Sequence, residues 1–171
     1  MKSRQLTFLA LNVIGGISVI GSYIYGLNAQ DSGADALWGG VPESTRIFYF
    51  VSMVVSALGY FAFLYLILFR VALKESSFGV FYLIFALILI PSAFWMPLTN
   101  IYLNNPSESL WLVVRGVLLV VGLASITLLW ALLRINKGKD GLVYRLAILG
   151  AGYFAFHTTI LDALIWPVLF R

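Results

Sequence analysis

Polar residues in this chain come in short bursts, and the apolar stretches between them run for twenty residues or more with no sustained polar face. Five such stretches can be placed, at about 6–26, 46–69, 78–103, 110–133 and 142–170. Crossing a hydrocarbon core about 30 Å thick takes roughly 20 apolar residues at about 1.5 Å each. The pattern therefore predicts an all-α integral membrane protein, a single transmembrane domain over 1–171. Three of the four connections are short, which forces consecutive helices to run antiparallel, so the expected fold is a five-transmembrane-helix up-down bundle. The first stretch follows Lys2 and Arg4 as a secretory signal would. Its length, Tyr23 and Tyr25 near its end, and the four spans that follow make it a retained helix.

Composition agrees. Of the 171 residues, 61% are hydrophobic and 11% charged, against roughly 25% charged in soluble domains. The net charge of +4 would suggest nucleic acid in a soluble protein. Here the cations cluster at helix ends and report orientation instead. Lys2, Arg4, Arg70, Lys74, Arg134, Lys137, Lys139 and Arg145 fall on one side, Arg46 and Arg171 on the other. Short basic loops resist translocation, so the N-terminus is expected inside and the C-terminus outside, in a bacterial cell membrane or an organelle membrane. The absence of cysteine excludes disulfides, thiolate metal sites and cysteine nucleophiles.

The long connection, 27–45, carries Asp31, Asp35 and Glu43 with no Lys or Arg, and Gly, Ser and Pro residues that favour irregular backbone. Trp38 is its one large aromatic side chain. Either the loop folds back over the bundle mouth as a lid, or Trp38 is an interfacial anchor on a linker. Small residues recur every three or four positions at Ser52, Ser56 and Gly59 and at Ala147, Ala151 and Ala155, marking close helix contacts.

Candidate chemistry is sparse. Arg115 lies inside the fourth span; it is either an anchor for a ligand carboxylate or an arginine snorkelling to the outer interface near Glu108. His157, the one histidine, and Asp162 lie in the fifth span. Five residues apart on an α-helix means about 140°, so the two are expected on different faces, unable to form a dyad within that helix. Thr158, Asp162 and Trp166 share a face, and Tyr153 stands over His157 on another. Asp162 is then protonated, hydrogen-bonded across the bundle, or paired with Arg115. A lone histidine makes a poor metal site, though it could supply an axial ligand to haem. Pro91 and Pro97 flank Trp95 in the third span, where freed carbonyls and a kink can open a cavity. Five Trp, nine Tyr and thirteen Phe could wall a flat aromatic pocket. No nucleophile–base set, phosphate loop or metal-ligand cluster is found, so the chain does not read as an enzyme.

Four segments resemble the tryptophan-rich sensory protein/translocator protein (TspO/MBR) family. SALGYFAFL at 56–64 is similar to the family's small-Ala-Met-Gly-Tyr-x-x-Tyr-Leu segment, and SAFWMP at 92–97 to Asn-x-x-Trp-x-Pro, with Ser92 in place of Asn. The stretch 122–130 echoes a Gly-Ala-rich run ending in Trp. TTILDALIW at 158–166 is similar to Thr-Thr-x-Leu-Asn-Tyr-x-x-Trp, with Asp162 for Asn and Ala163 for Tyr. The first loop departs, keeping Trp38 and Pro42 where the family has a paired-proline, Trp-rich signature. The resemblance implies a TspO-like fold in a divergent member, homodimeric, with no obligatory cofactor, binding a porphyrin, haem or a sterol-like lipophile in a pocket beneath the first outer loop. Transport, sensing or turnover of that molecule would follow. Carried over, Trp95, Pro97, Thr158, Leu161 and Asp162 line the pocket, Trp38 closes it, and Arg115, Tyr153 and His157 complete the candidate ligand-binding set. Two other classes stand beside this reading: a membrane enzyme using His157 and Asp162, and a structural subunit of a larger membrane complex.

Overall fold

The computed structural model describes residues 3–30, 33–71, 75–135 and 141–171. Lys2, Lys74, Lys137 and Lys139 of the charge count, and Asp31 of the loop, lie outside them. The described residues form five long apolar helices and one short one. Helix α1 is Ser3–Asn28, the short α2 is Ala34–Trp38, α3 is Glu43–Arg70, α4 is Glu75–Asn104, α5 is Glu108–Leu133 and α6 is Gly141–Phe170. The five long ones match the five predicted stretches, each a few residues longer at its ends. Each is long and apolar enough to cross a bilayer. Helix α4 continues through Pro91 and Pro97.

Two helices change register. The last turn of α3, Leu66–Arg70, and the middle of α6, His157–Ile165, are π-helical, with α-helix on both sides of the second. There the backbone N–H of Trp166 donates to Leu161 O, five residues back. A π segment fits one more residue into each turn and turns side chains away from the positions an α-helix gives them.

Around the bundle, α1 packs on α4, α4 on α5, α5 on α6, and α6 on α3; α1 meets α3 only lightly, mainly at the π-helical last turn of α3. The α1–α3 seam is tied toward the end holding the start of α1, where Gln5 Nε2 donates to Leu68 O and Tyr60 OH donates to Asn12 Oδ1. Elsewhere α1 is fixed to α4: Asn100 Nδ2 donates to Gly26 O (3.3 Å), and Gln30 Nε2 to Asn100 Oδ1 (3.0 Å). Its other faces carry exposed Ile14, Ile17, Ile20 and Ile24, as expected of a helix facing lipid.

The buried side chains form two clusters. One gathers Phe8, Phe63, Phe85 and Leu128 toward the start of α1; the other gathers Trp38, Tyr102, Trp111, Trp166 and Phe170 at the α2 end. The small-residue stripes read from the sequence are buried: Ser52, Ser56 and Gly59 on α3, and Ala147, Ala151 and Ala155 on α6. At the crossing of these two helices, a methyl group added at Gly59 would stand 2.6 Å from Gly150 O. Backbone meets backbone there, and no side chain can move aside.

Gly59→Leu is therefore expected to destabilise the protein by more than the usual 1–3 kcal/mol of overpacking. Gly21→Leu and Gly116→Leu, whose added atoms meet open space, serve as controls. Thermal unfolding in detergent checks this; equal losses in all three variants would contradict the crossing.

Candidate functional site

Between the two aromatic clusters the bundle is hollow. A cavity of about 540 Å³ is bounded by α1, α3, α4, α5 and α6. A smaller one of about 150 Å³ lies under α2. Tyr23, Met53, Trp95, Leu118 and Asp162 line both, so the two chambers meet at these five side chains. The larger chamber reaches the surface along the α1–α3 seam, where its lining includes exposed Ile20, Val54 and Phe61. That opening is at the side of the bundle, among exposed apolar side chains, and not at its end.

The end of the bundle is closed. Of the two readings for the long loop, the structure supports the lid. The five-residue helix α2 is flanked by Gly33 and Gly39, both at positive φ (59° and 53°), a conformation that glycine adopts without steric cost. Gly40 N donates to Phe170 O and Trp166 Nε1 donates to Leu37 O (both 3.2 Å). Trp38 is buried edge-on against Tyr49 and Phe50. Arg46 pairs with Asp35 at 2.7 Å and lies 5.7 Å from the Trp38 ring, fixing the lid to the start of α3. Glu108 is engaged in a two-pronged pair with Arg171 (2.7 and 3.1 Å), joining the start of α5 to the end of α6.

The expectation that His157 and Asp162 occupy different faces is overturned. His157 Nε2 lies 3.5 Å from Asp162 Oδ2, and both line the larger cavity. The reason is the π segment that begins at His157: with hydrogen bonds reaching five residues back, each residue turns the chain less, and residue i+5 comes round toward the side of residue i. The histidine is held from behind. Ser52 Oγ is 2.8 Å from His157 Nδ1, and Tyr153 OH donates to Ser52 Oγ at 3.0 Å. In the tautomer in which Ser52 donates to Nδ1, the ring proton sits on Nε2 and faces Asp162. Thr158 Oγ1 donates to Ser125 Oγ (2.9 Å), which donates to Val121 O (2.7 Å), tying the same segment to α5.

The other expected site residues divide. Trp95 lines both chambers, with its ring against Tyr23 and Trp166. Thr158 lines the larger chamber, and Trp38 roofs the smaller. Leu161 is buried in the aromatic cluster under the lid and its carbonyl accepts from Tyr49 OH (3.2 Å), so it supports the wall without lining it. Pro97 lines neither chamber, and Tyr153 acts through Ser52. Arg115 is exposed and lines neither chamber. It is neither the anchor for a bound carboxylate nor the partner of Asp162, and Glu108 has Arg171 instead.

Several residues in or behind the lining were not anticipated: Ser56 and Tyr23 line the larger chamber, and Ser52 stands behind it against His157. Ser52 and Ser56 belong to a stripe read only as a packing surface, and Tyr23 stood out only as an aromatic residue near a helix end. Among the described residues, Ser56 Oγ and Trp95 Nε1 are buried without a hydrogen-bond partner, and both residues line the larger chamber. Such orphaned groups carry a real cost unless a bound molecule or water satisfies them. Among the described residues, no lysine or arginine lines either chamber.

No protein-family model, curated protein or solved structure matches the chain. The functional reading rests on the cavity itself.

Ser52→Ala leaves both the Tyr153 hydroxyl and His157 Nδ1 without their partner in an apolar interior, an expected loss of about 1–3 kcal/mol. Ser18→Ala, whose exposed hydroxyl merely returns to Ile14 O on its own helix, should change stability far less. Denaturant titration of the two variants side by side checks this, and equal effects would count against the buried chain of hydroxyls.

Proposed function

We propose that this chain binds a large, flat lipophile of tetrapyrrole or sterol type in the cavity beneath its lid, in the manner of the TspO/MBR proteins that its motif series resembles. The observation that carries the reading is the larger chamber, about 540 Å³ of mostly apolar space at the centre of a helical bundle. Its size is within the range of small-molecule sites, about 300–1,000 Å³, and such sites combine apolar walls with a few polar groups that fix orientation. Here Tyr23, Tyr60, Trp95 and Phe154 supply ring surface, and His157, Thr158, Asp162 and Ser56 supply polarity. Large aromatic walls suit a flat partner, which can stack or meet ring edges. The seam between α1 and α3 offers such a molecule a route from the hydrocarbon that avoids water, and the lid keeps the chamber closed at its end. Transport, sensing or turnover of the bound molecule would each begin from this complex.

Iron-bound haem fits the residues less well than a metal-free ring does. His157 Nδ1 is taken by Ser52, and Nε2 faces a carboxylate oxygen. Propionates would find no lysine or arginine on the walls. A second reading, a membrane enzyme, draws on the His157–Asp162 approach, since a histidine oriented by Ser52 beside a carboxyl group is an arrangement suited to proton transfer.

Titration of the purified protein with a metal-free porphyrin dimethyl ester and, separately, with a fluorescent sterol tests the proposal. Saturable quenching of tryptophan emission is expected for at least one, weakened about tenfold or more in Trp95→Ala, since a buried aromatic anchor commonly carries at least that much affinity. Quenching that never saturates, or that is the same in Trp95→Ala, would remove the reading. Product formation abolished by His157→Ala would favour the enzyme.

A further inference from the structure

We infer that the lipophile this cavity prefers is a cation, an amine or onium centre on an apolar frame, held by Asp162 within the rings of Tyr23, Trp95 and Trp166. The inference rests on the lipophile-binding reading and narrows the ligand's charge.

Asp162 stands where the two chambers meet and lines both. Its side chain keeps 29% of its surface free; the Tyr23 and Tyr49 hydroxyls are near enough to feel its charge, and His157 Nε2 is 3.5 Å away, outside ordinary hydrogen-bond length. A carboxyl group in such a place has capacity for a partner that the protein does not fill. Intramembrane carboxyl groups are costly and mark binding or transfer sites more often than packing.

The surroundings favour a positive partner. The Trp95 ring centre lies 5.7 Å from Tyr23 and 5.4 Å from Trp166, so three aromatic side chains converge beside the carboxyl group. Aromatic faces attract ammonium and other onium centres, most strongly when water is excluded. Charge bookkeeping points the same way. Among the described residues the walls bear this one carboxyl group and no lysine or arginine. At the lid end, Arg46 is paired with Asp35 and Arg171 with Glu108, and Arg115 is exposed away from the chambers. A bound anion would therefore be buried without compensation, at heavy cost. A bound cation would find both a counter-charge and ring faces.

The test compares tetraphenylphosphonium with tetraphenylborate, ions of nearly the same shape and opposite charge, on the full chain in phosphatidylcholine nanodiscs, with empty nanodiscs subtracted. Saturable binding of the phosphonium is expected, weakened about thirtyfold or more in Asp162→Asn, as when one partner of a buried charge pair is removed. The borate should show only bilayer partitioning. Equal phosphonium affinity in Asp162→Asn, or saturable borate binding of similar strength, would overturn the inference; the borate arm needs no variant to fold. If neither ion binds while the neutral porphyrin diester does, lipophile binding stands and the preference for a cation falls. If neither ion, nor the porphyrin diester, nor the fluorescent sterol binds, both fall.

Discussion

Between His157 and Ile165 the backbone of the last helix is hydrogen-bonded five residues back, and the chemistry of the bundle interior depends on that register. In an α-helix, His157 and Asp162 would point about 140° apart. The wider turn brings them to one wall of the cavity, 3.5 Å from one another, with Ser52 and Tyr153 bracing the histidine from α3 and α6. Thr158 bonded to Ser125 and Thr159 bonded to Gly122 O hold the same stretch against α5. A widened turn weakens the regular ladder of its own helix, and these cross-helix bonds offset that loss. Departures from α-helical register of this kind are frequent at functional sites.

The hollow centre is a consequence of how the helices pair. Close packing is concentrated in an aromatic cluster at either end of the bundle and at the Gly59–Gly150 crossing. The middle is left to the cavity. Since α1 packs closely on α4 and meets α3 only toward the start of α1, the chamber has a lateral side bounded by exposed apolar residues. The lid, held by the Arg46–Asp35 pair, the Trp38 cluster and the end of α6, closes the end where water would otherwise enter. Under the proposed function, access from the side and closure at the end would keep the apolar walls out of water while a molecule dissolved in the bilayer enters.

The five helices were legible because the bilayer demands length and apolarity, and both are written residue by residue in the chain. That α3 and α6 each make a close helix contact was legible for a similar reason, though not that they make it with one another: small residues at every third or fourth position have few other uses in a membrane helix. Trp95, Thr158 and Asp162, which the resemblance carried over as pocket lining, stand at the cavity, and Pro97 and Leu161 do not. The pairing of His157 with Asp162 was not legible, because reading side-chain directions from spacing assumes an α-helix, and nothing in HTTILDALI announces a π turn. Arg115 misled for a different reason. A charge within a span has two resting places, the interior or the interface, and spacing alone does not choose between them; here the residue is on an exposed face. Ser52 was assigned to packing because a small residue that lets helices approach looks the same in sequence as one whose hydroxyl orients a histidine.

The account turns on the approach of His157 to Asp162, and the chain's single histidine makes that approach measurable without ambiguity. With ¹⁵N-histidine and ¹³C-aspartate incorporated, magic-angle-spinning NMR of the protein in bilayers reads the dipolar coupling between the imidazole Nε2 and a carboxyl carbon. The π-helical register predicts a clear coupling, matching an Nε2 to Oδ2 separation of 3.5 Å, lost in Asp162→Asn prepared with the same labels. No coupling above background would mean that the helix is α through this segment, with Asp162 turned away from His157, and would contradict the account.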